Sequence, residues 1–205
     1  MKLFLSILFI FFSFMRGQSE SDSSWTTEYN QNDIIVKMSY PEIKMEDGET
    51  ETLVRWRLEA EKDVDFLKCI ETIKSVPLHK ELFKNCIESK IISENDSSSV
   101  AYYFFDHPWP APNLDNVRLT KYNLDSVNNV FTYEQTSDPN LMELKDVDRV
   151  KINNIKYVLT KINDEKIRIE IEEEFVAEGA PMFLVKSAFP ESPVEFLERI
   201  LKFSK

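Results

Sequence analysis

The chain has 205 residues, 42% of them apolar and 30% charged, with a formal net charge of −11. That is enough chain for one domain with a real core, and the balance is globular rather than disordered. The acidity excludes a phosphate-backbone partner, which needs a basic footprint, and simple electrostatic docking on anionic lipid.

Lys2 gives a small positive start, Leu3 to Met15 is apolar except for Ser6 and Ser13, and Gly17 is a small residue at a plausible cleavage point. This pattern predicts a signal peptide over residues 1–18 and an exported protein, periplasmic or secreted. The apolar run is shorter than the ~20 residues a membrane-spanning helix needs. Residues 19–32 are polar and turn-rich and are expected to be a flexible lead-in, with Trp25 free to dock on the domain. One domain is expected over residues 33–205.

Ile34, Val36, Met38 and Tyr40 share one parity; Val54, Trp56 and Leu58 alternate with Arg55 and Arg57. The turn signal Glu46-Asp47-Gly48-Glu49 lies between these runs, so they predict a hairpin. A helix is expected from Asp63, as N-cap, to Lys74, with Phe66, Leu67, Ile70 and Ile73 as its apolar stripe. Pro77 stops it and opens a short second turn through Leu82, with His79 in a surface position.

Strand-like runs follow over residues 84–93, 99–107, 116–123, 127–137, 150–162 and 165–176, divided by turn signals. Pro181 to Ala188 predicts a short helix. Ser192-Pro193-Val194-Glu195 reads as a capping box that starts a terminal helix carrying Leu197, Ile200 and Leu201 on one face. Strands precede the long helix instead of alternating with it, which gives an α+β fold with an antiparallel sheet. One amphipathic helix cannot fill the concavity of such a sheet; bulky side chains or a ligand must occupy the gap.

Asp106-His107-Pro108-Trp109-Pro110-Ala111-Pro112-Asn113-Leu114-Asp115 joins two of the strands. Pro110 and Pro112 lack donors and force the residues before them to be extended, so the connection is stiff. The tract from Tyr102 to Pro110 resembles the "PWP" signature of START-type lipid-transfer domains. Val150 through Thr160 is similar to a later strand of that family, and Gly179-Ala180-Pro181-Met182-Phe183-Leu184-Val185 to its approach to the terminal helix. Leu114 precedes Asp115 where the family commonly has Arg, and Lys151 stands where Arg is common. The resemblance implies a helix-grip fold: a curved antiparallel sheet of about 6–8 strands wrapped around a long C-terminal helix, with short helices after the first hairpin. It also implies a cavity for a lipid or another hydrophobic small molecule, a transient membrane contact being compatible with that role. A cyclase- or hydratase-like enzyme and a filled-core interaction module remain alternatives on the same fold.

Tyr103, Phe105, Tyr133 and Phe183 are candidate ligand contacts, and Trp109, Pro110 and Asp115 candidate structural residues of the stiff connection. Glu173 has the parity of Ile167, Ile169, Ile171 and Phe175. Either it points inward as a polar anchor for a ligand hydroxyl or amine, or a bulge near Glu172 returns it to solvent. Cys69 and Cys86 allow one disulfide, or two buried thiols. No HExxH, CxxC or G-x-S-x-G spacing occurs, and Gly17, Gly48 and Gly179 are the only glycines, so no metal, cofactor or phosphate-cradling loop is expected. His107 reads as a hydrogen-bonded strand end. Asn95-Asp96-Ser97 is a glycosylation sequon for a eukaryotic secretory route.

Overall fold

A computed structural model describes residues 25–45, 47–177 and 181–205. The expected signal peptide, most of the lead-in before Trp25 and the Glu178-Gly179-Ala180 segment lie outside the described residues.

In chain order the strands and helices are β1 (Thr26–Gln31), β2 (Ile34–Ser39), β3 (Glu42–Lys44), β4 (Thr50–Asp63), α1 (Phe66–Lys74), α2 (His79–Leu82), β5 (Cys86–Glu94), β6 (Ser98–Phe105), β7 (Leu114–Asp125), β8 (Val130–Ser137), β9 (Asp148–Arg149), β10 (Asn153–Lys161), β11 (Lys166–Val176), α3 (Met182–Ser187) and α4 (Glu191–Phe203). The sheet order is β1-β2-β4-β11-β10-β8-β7-β6-β5, with β3 on β4 and β9 on β7. Every pairing is antiparallel except the short β7–β9 ladder. The α+β helix-grip architecture stands, with eleven strands among the described residues where about 6–8 were expected.

Part of the excess comes from residues 26–31, which are strand and not flexible lead-in. Asn32 and Asp33 both take positive φ (54° and 57°), the conformation of a two-residue hairpin turn matched to strand twist. Trp25 lies over the guanidinium groups of Arg55 and Arg57 on the outer face, 4.9 and 4.3 Å from its ring centre. The expected hairpin of β2 and β4 forms, and Gly48 supplies the positive φ (87°) at its turn.

The helix after β4 begins later than expected. Asp63 ends the strand, and Asp65 is the N-cap, accepting from the backbone N–H of Lys68 at 2.8 Å. Leu67 points to solvent, and Cys69 takes its place among the buried residues of α1. His79, expected at the surface, is buried instead: both ring nitrogens are hydrogen-bonded, Nδ1 to the Tyr103 hydroxyl at 2.8 Å and Nε2 to the Ile73 carbonyl at 2.7 Å. At the C-terminus Pro190 separates α3 from α4 and is itself the cap residue of α4; no side-chain capping box forms, because Ser192 lies inside the helix and donates its N–H to the Ala188 carbonyl.

The core sits between the concave face and α1 and α4. Val54, Trp56, Leu58 and Ala60 of β4 meet Ile167, Ile169 and Ile171 of β11 and Ile155, Tyr157 and Leu159 of β10, while Phe196, Leu197 and Ile200 close it from α4. Thr72 and Ser204 tie α1 to the end of α4 through a 3.1 Å hydroxyl–hydroxyl hydrogen bond. The cysteines are free thiols in separate clusters, so the disulfide is not formed here. Cys69 packs in the main core, and Cys86 packs with Val76, Ala101 and Tyr103 and donates to the Glu88 carbonyl. Burial pushes the two thiols up to about 12 and about 11.

Candidate ligand cavity

Aromatic side chains fill one end of the space between sheet and helices. Tyr103, Tyr133 and Tyr157 are fully buried, and Phe83 stacks on Phe196 with ring centres 5.3 Å apart. The other end, bounded by the proline tract, α3 and the start of α4, holds a cavity of about 560 Å³. Its apolar wall comes from Phe105, Leu114, Phe175, Leu184, Val185 and Phe189, with the proline tract at the rim.

The polar side of the cavity comes from strand register. β11 pairs with β4 and β10 without a shift from Lys166 to Val176, so there is no bulge, and Glu173 faces inward opposite Trp56 and Ile155. Its carboxylate accepts from Trp56 Nε1 at 2.7 Å and Asn153 Nδ2 at 2.9 Å. Burial raises the Glu173 pKa, opposed by the positive charge of Arg118 and by those two hydrogen bonds. On β7 the inward side chains are Asn116, Arg118 and Thr120, all buried. Arg118 donates to Gln135 Oε1 at 3.1 Å and lies over the rings of Tyr103 and Phe83.

Of the five expected contacts, Phe105 and Glu173 reach the cavity. Tyr103 and Tyr133 lie beneath it in the core, where Gln135 Nε2 donates to both hydroxyls (2.7 and 3.3 Å). Burial pushes the Tyr103 hydroxyl up to about 12. Phe183 is 71% exposed, while Leu184 and Val185 beside it line the wall; a short helix turns successive side chains to different sides. Trp109 is no internal pin: it is 92% exposed at the tip of the connection. The connection is tied instead by Asn113, which accepts from the His107 N–H at 3.1 Å, and by the Asp106 N–H to the Asn85 carbonyl at 2.9 Å. Pro110 lines the cavity after a cis bond from Trp109. His107 stacks on Phe105 and accepts from Asn85 Nδ2 at 3.2 Å; burial lowers its pKa.

Asp115 is buried, and its partner is Arg149. Two parallel bonds of 2.8 Å join them, and the other Arg149 donors reach the carbonyls of Pro139, Met142 and Glu143. Lys151, which stands where the START-type pattern commonly has Arg, lies on the surface and pairs with Asp47 at 3.5 Å. Among the described residues no group of His, Cys, Asp and Glu is placed to hold a metal ion. His107 and Glu173 both line the cavity, and no hydrogen bond joins them among the described residues.

Neither a family profile nor a curated relative matches this chain. Solved structures do. A STAR-related lipid transfer protein from Xanthomonas axonopodis superposes with a TM-score of 0.70 at 15% identity, over 87% of this chain and 97% of its own. Human StAR-related lipid transfer protein 5 gives 0.71 at 16% identity, over 90% and 88%. The fold is that of START-type lipid-transfer domains. The Zhui aromatase/cyclase from Streptomyces gives 0.51 at 13% identity over 74% and 93%, so the START-type fold extends, more loosely, to an enzyme. At these identities the likeness concerns fold alone, and what the cavity does is argued from its own residues.

Proposed function

We propose that this protein binds and carries a lipid or similar hydrophobic molecule in the cavity between the sheet, the proline tract and the two C-terminal helices. The observation that carries this reading is the cavity itself: about 560 Å³, apolar over most of its wall, inside the usual range of roughly 300–1,000 Å³ for small-molecule sites. Burial of the ligand's apolar surface supplies affinity at about 25 cal/mol per Å², less the cost of association. Exposed Trp109 at the rim and exposed Phe183 next to the α3 wall would let the mouth touch a bilayer without electrostatic attraction, consistent with the acidic chain. Export through the N-terminal apolar segment is part of the same proposal, motivated by Lys2, the Leu3–Met15 run and Gly17.

The test is native mass spectrometry of protein recovered from the exported fraction, with solvent extraction of anything carried along. A stoichiometric lipid-sized adduct is expected, on a chain shortened near Gly17. A bare mass that takes up nothing from an offered lipid mixture would refute the carrier reading; an uncut chain would refute export.

A further inference from the structure

Asn95-Asp96-Ser97 is the one Asn-X-Ser/Thr sequence in the chain, and it lies outside the cavity. It forms the turn from β5 to β6, and all three residues are exposed. Asn95 Oδ1 accepts from the backbone N–H groups of Ser97 and Ser98, at 3.1 and 3.0 Å, and from Ser98 Oγ at 3.0 Å. This is an Asx turn, in which the side chain stands in for a backbone acceptor. Its bonds run within four residues, so it can form on the chain before the sheet does. In the folded protein Tyr122 then ties the turn to β7, its hydroxyl donating to the Asp96 carbonyl at 2.8 Å and its N–H to the Ser97 carbonyl at 3.2 Å. The turn occupies the amide oxygen of Asn95. Among the described residues neither Asn95 Nδ2 nor Ser97 Oγ has a hydrogen-bond partner. Those are the two groups that an N-glycosylation site must present, the nitrogen that takes the sugar and the hydroxyl two residues on.

Resting on the export reading, we propose that Asn95 carries an N-linked oligosaccharide. The donor is an oligosaccharide joined to a lipid pyrophosphate in a eukaryotic secretory compartment. A bond forms between Asn95 Nδ2 and the anomeric carbon of the sugar, and the bond from that carbon to the pyrophosphate oxygen breaks. The nitrogen gives up one of its two protons, the lipid pyrophosphate leaves, and nothing is oxidised or reduced. The fold has room for the product. β5 is the last strand of the sheet, so no strand among the described residues lies beyond it to meet the sugar. The site is also remote from the cavity, which is lined by Asn85 and Phe105 at the other ends of the same two strands. The nine residues of β5, at about 3.3 Å each, put roughly 30 Å between the turn and that end. A bulky, solvated group on Asn95 therefore leaves the mouth open to a ligand and keeps the rim at Trp109 clear.

The test takes the protein from its own exported fraction, digests it with peptide N-glycosidase in heavy-oxygen water and maps it by peptide mass spectrometry. The intact mass should exceed that of the leaderless sequence by one oligosaccharide. The enzyme should remove that mass and leave the oxygen label at position 95. A leaderless exported chain with position 95 bare would overturn the proposal and spare export. A chain retained inside the cell would sink the export reading and the glycan with it. Variants are read in the full chain, secreted with its own leader from eukaryotic cells. Asn95→Asp keeps the acceptor of the turn and lacks Nδ2, while Ser97→Ala keeps the backbone donor and lacks the hydroxyl. Both should lose the oligosaccharide completely, and Ser97→Thr should keep it. A glycan that survives either loss variant would overturn the assignment to Asn95. Enzymatic removal of the sugar should leave lipid uptake within about twofold of the intact protein; a larger rise would set the sugar over the mouth and overturn its placement.

Discussion

Arg149 and Asp115 form a pair whose side chains are 3% and 0% exposed, joined by two hydrogen bonds and backed by three carbonyls. The pair fastens residues 139–150 to the start of β7, next to Leu114, Asn116 and Val150 of the cavity wall. Removing one partner leaves the other charge buried. Arg149→Met and Asp115→Leu should therefore each cost about 3–5 kcal/mol, a large share of the ~5–15 kcal/mol that holds a domain together. The double substitution leaves no orphan charge and should cost clearly less than the sum, since an apolar replacement of a buried pair is often neutral. Urea unfolding followed by far-UV circular dichroism measures all four proteins, and an unchanged dependence on urea concentration establishes that midpoint shifts report stability. Single substitutions that add to the double within about 0.5 kcal/mol would refute the reasoning, because independent sites add and coupled ones do not. The singles should also lose ligand uptake before global unfolding, as the cavity wall loosens.

His79 gives an acid-side signature. The unfolded chain takes up a proton at the ordinary 6.5 and the folded chain only near about 4, because burial disfavours the charged ring. Its contribution is present above 6.5 and is lost as pH falls through that window; His79→Gln should flatten that part of the stability curve, and a wild-type slope in the variant would refute the assignment. Glu173 works in the opposite sense, since its folded pKa lies above the ordinary 4.5. Its stabilising contribution is present below 4.5 and lost as pH rises through the folded value. Glu173→Gln should thus raise the melting temperature at neutral pH and not at acid pH, Asn153 turning its free Oδ1 to the new amide; an equal gain at both would refute burial as the cause. Trp109→Ala should change stability by no more than about 0.5 kcal/mol, as exposed sites do, yet lower partition onto neutral vesicles measured by sedimentation; unchanged partition would remove the tract from the membrane contact. Cys69 and Cys86 should resist iodoacetamide in the native protein and both react in urea without reductant, read as intact mass; a need for reductant would mean that they are bonded.

The hydrophobic alternation of β4 and β11 is strict because one face of each is core and the other is water: Val54, Trp56 and Leu58 alternate with arginines that pair outward with Glu174 and Glu172. Glu173 stood out for that reason, as the charge on β11 with core parity, while the choice between an inward carboxylate and a bulge near Glu172 needed the strand register. β1 escaped because Thr26–Gln31 has no buried face to print a pattern, although the Asn32-Asp33 turn was there to be read. β7 was legible as a strand, but not which of its faces is the inner one. Its apolar residues, Val117 and Leu119, point away from the cavity, and its polar residues, Asn116, Arg118 and Thr120, point in. Periodicity assumes that the interior is apolar, and it inverts where an interior must hold a polar group. Val117 is nonetheless buried because the 139–150 segment covers the outer face: Lys145 lies over the ring of Tyr102, the β6 residue paired with Val117, while Arg149 anchors that segment to Asp115. β7 thus has both faces covered, and its alternation places the polar residues on the cavity side. The pattern rule inverts on β7 because three strands together set Asn116, Arg118, Asn153 and Glu173 along one cavity, so the inner face there is polar and the covered outer face apolar.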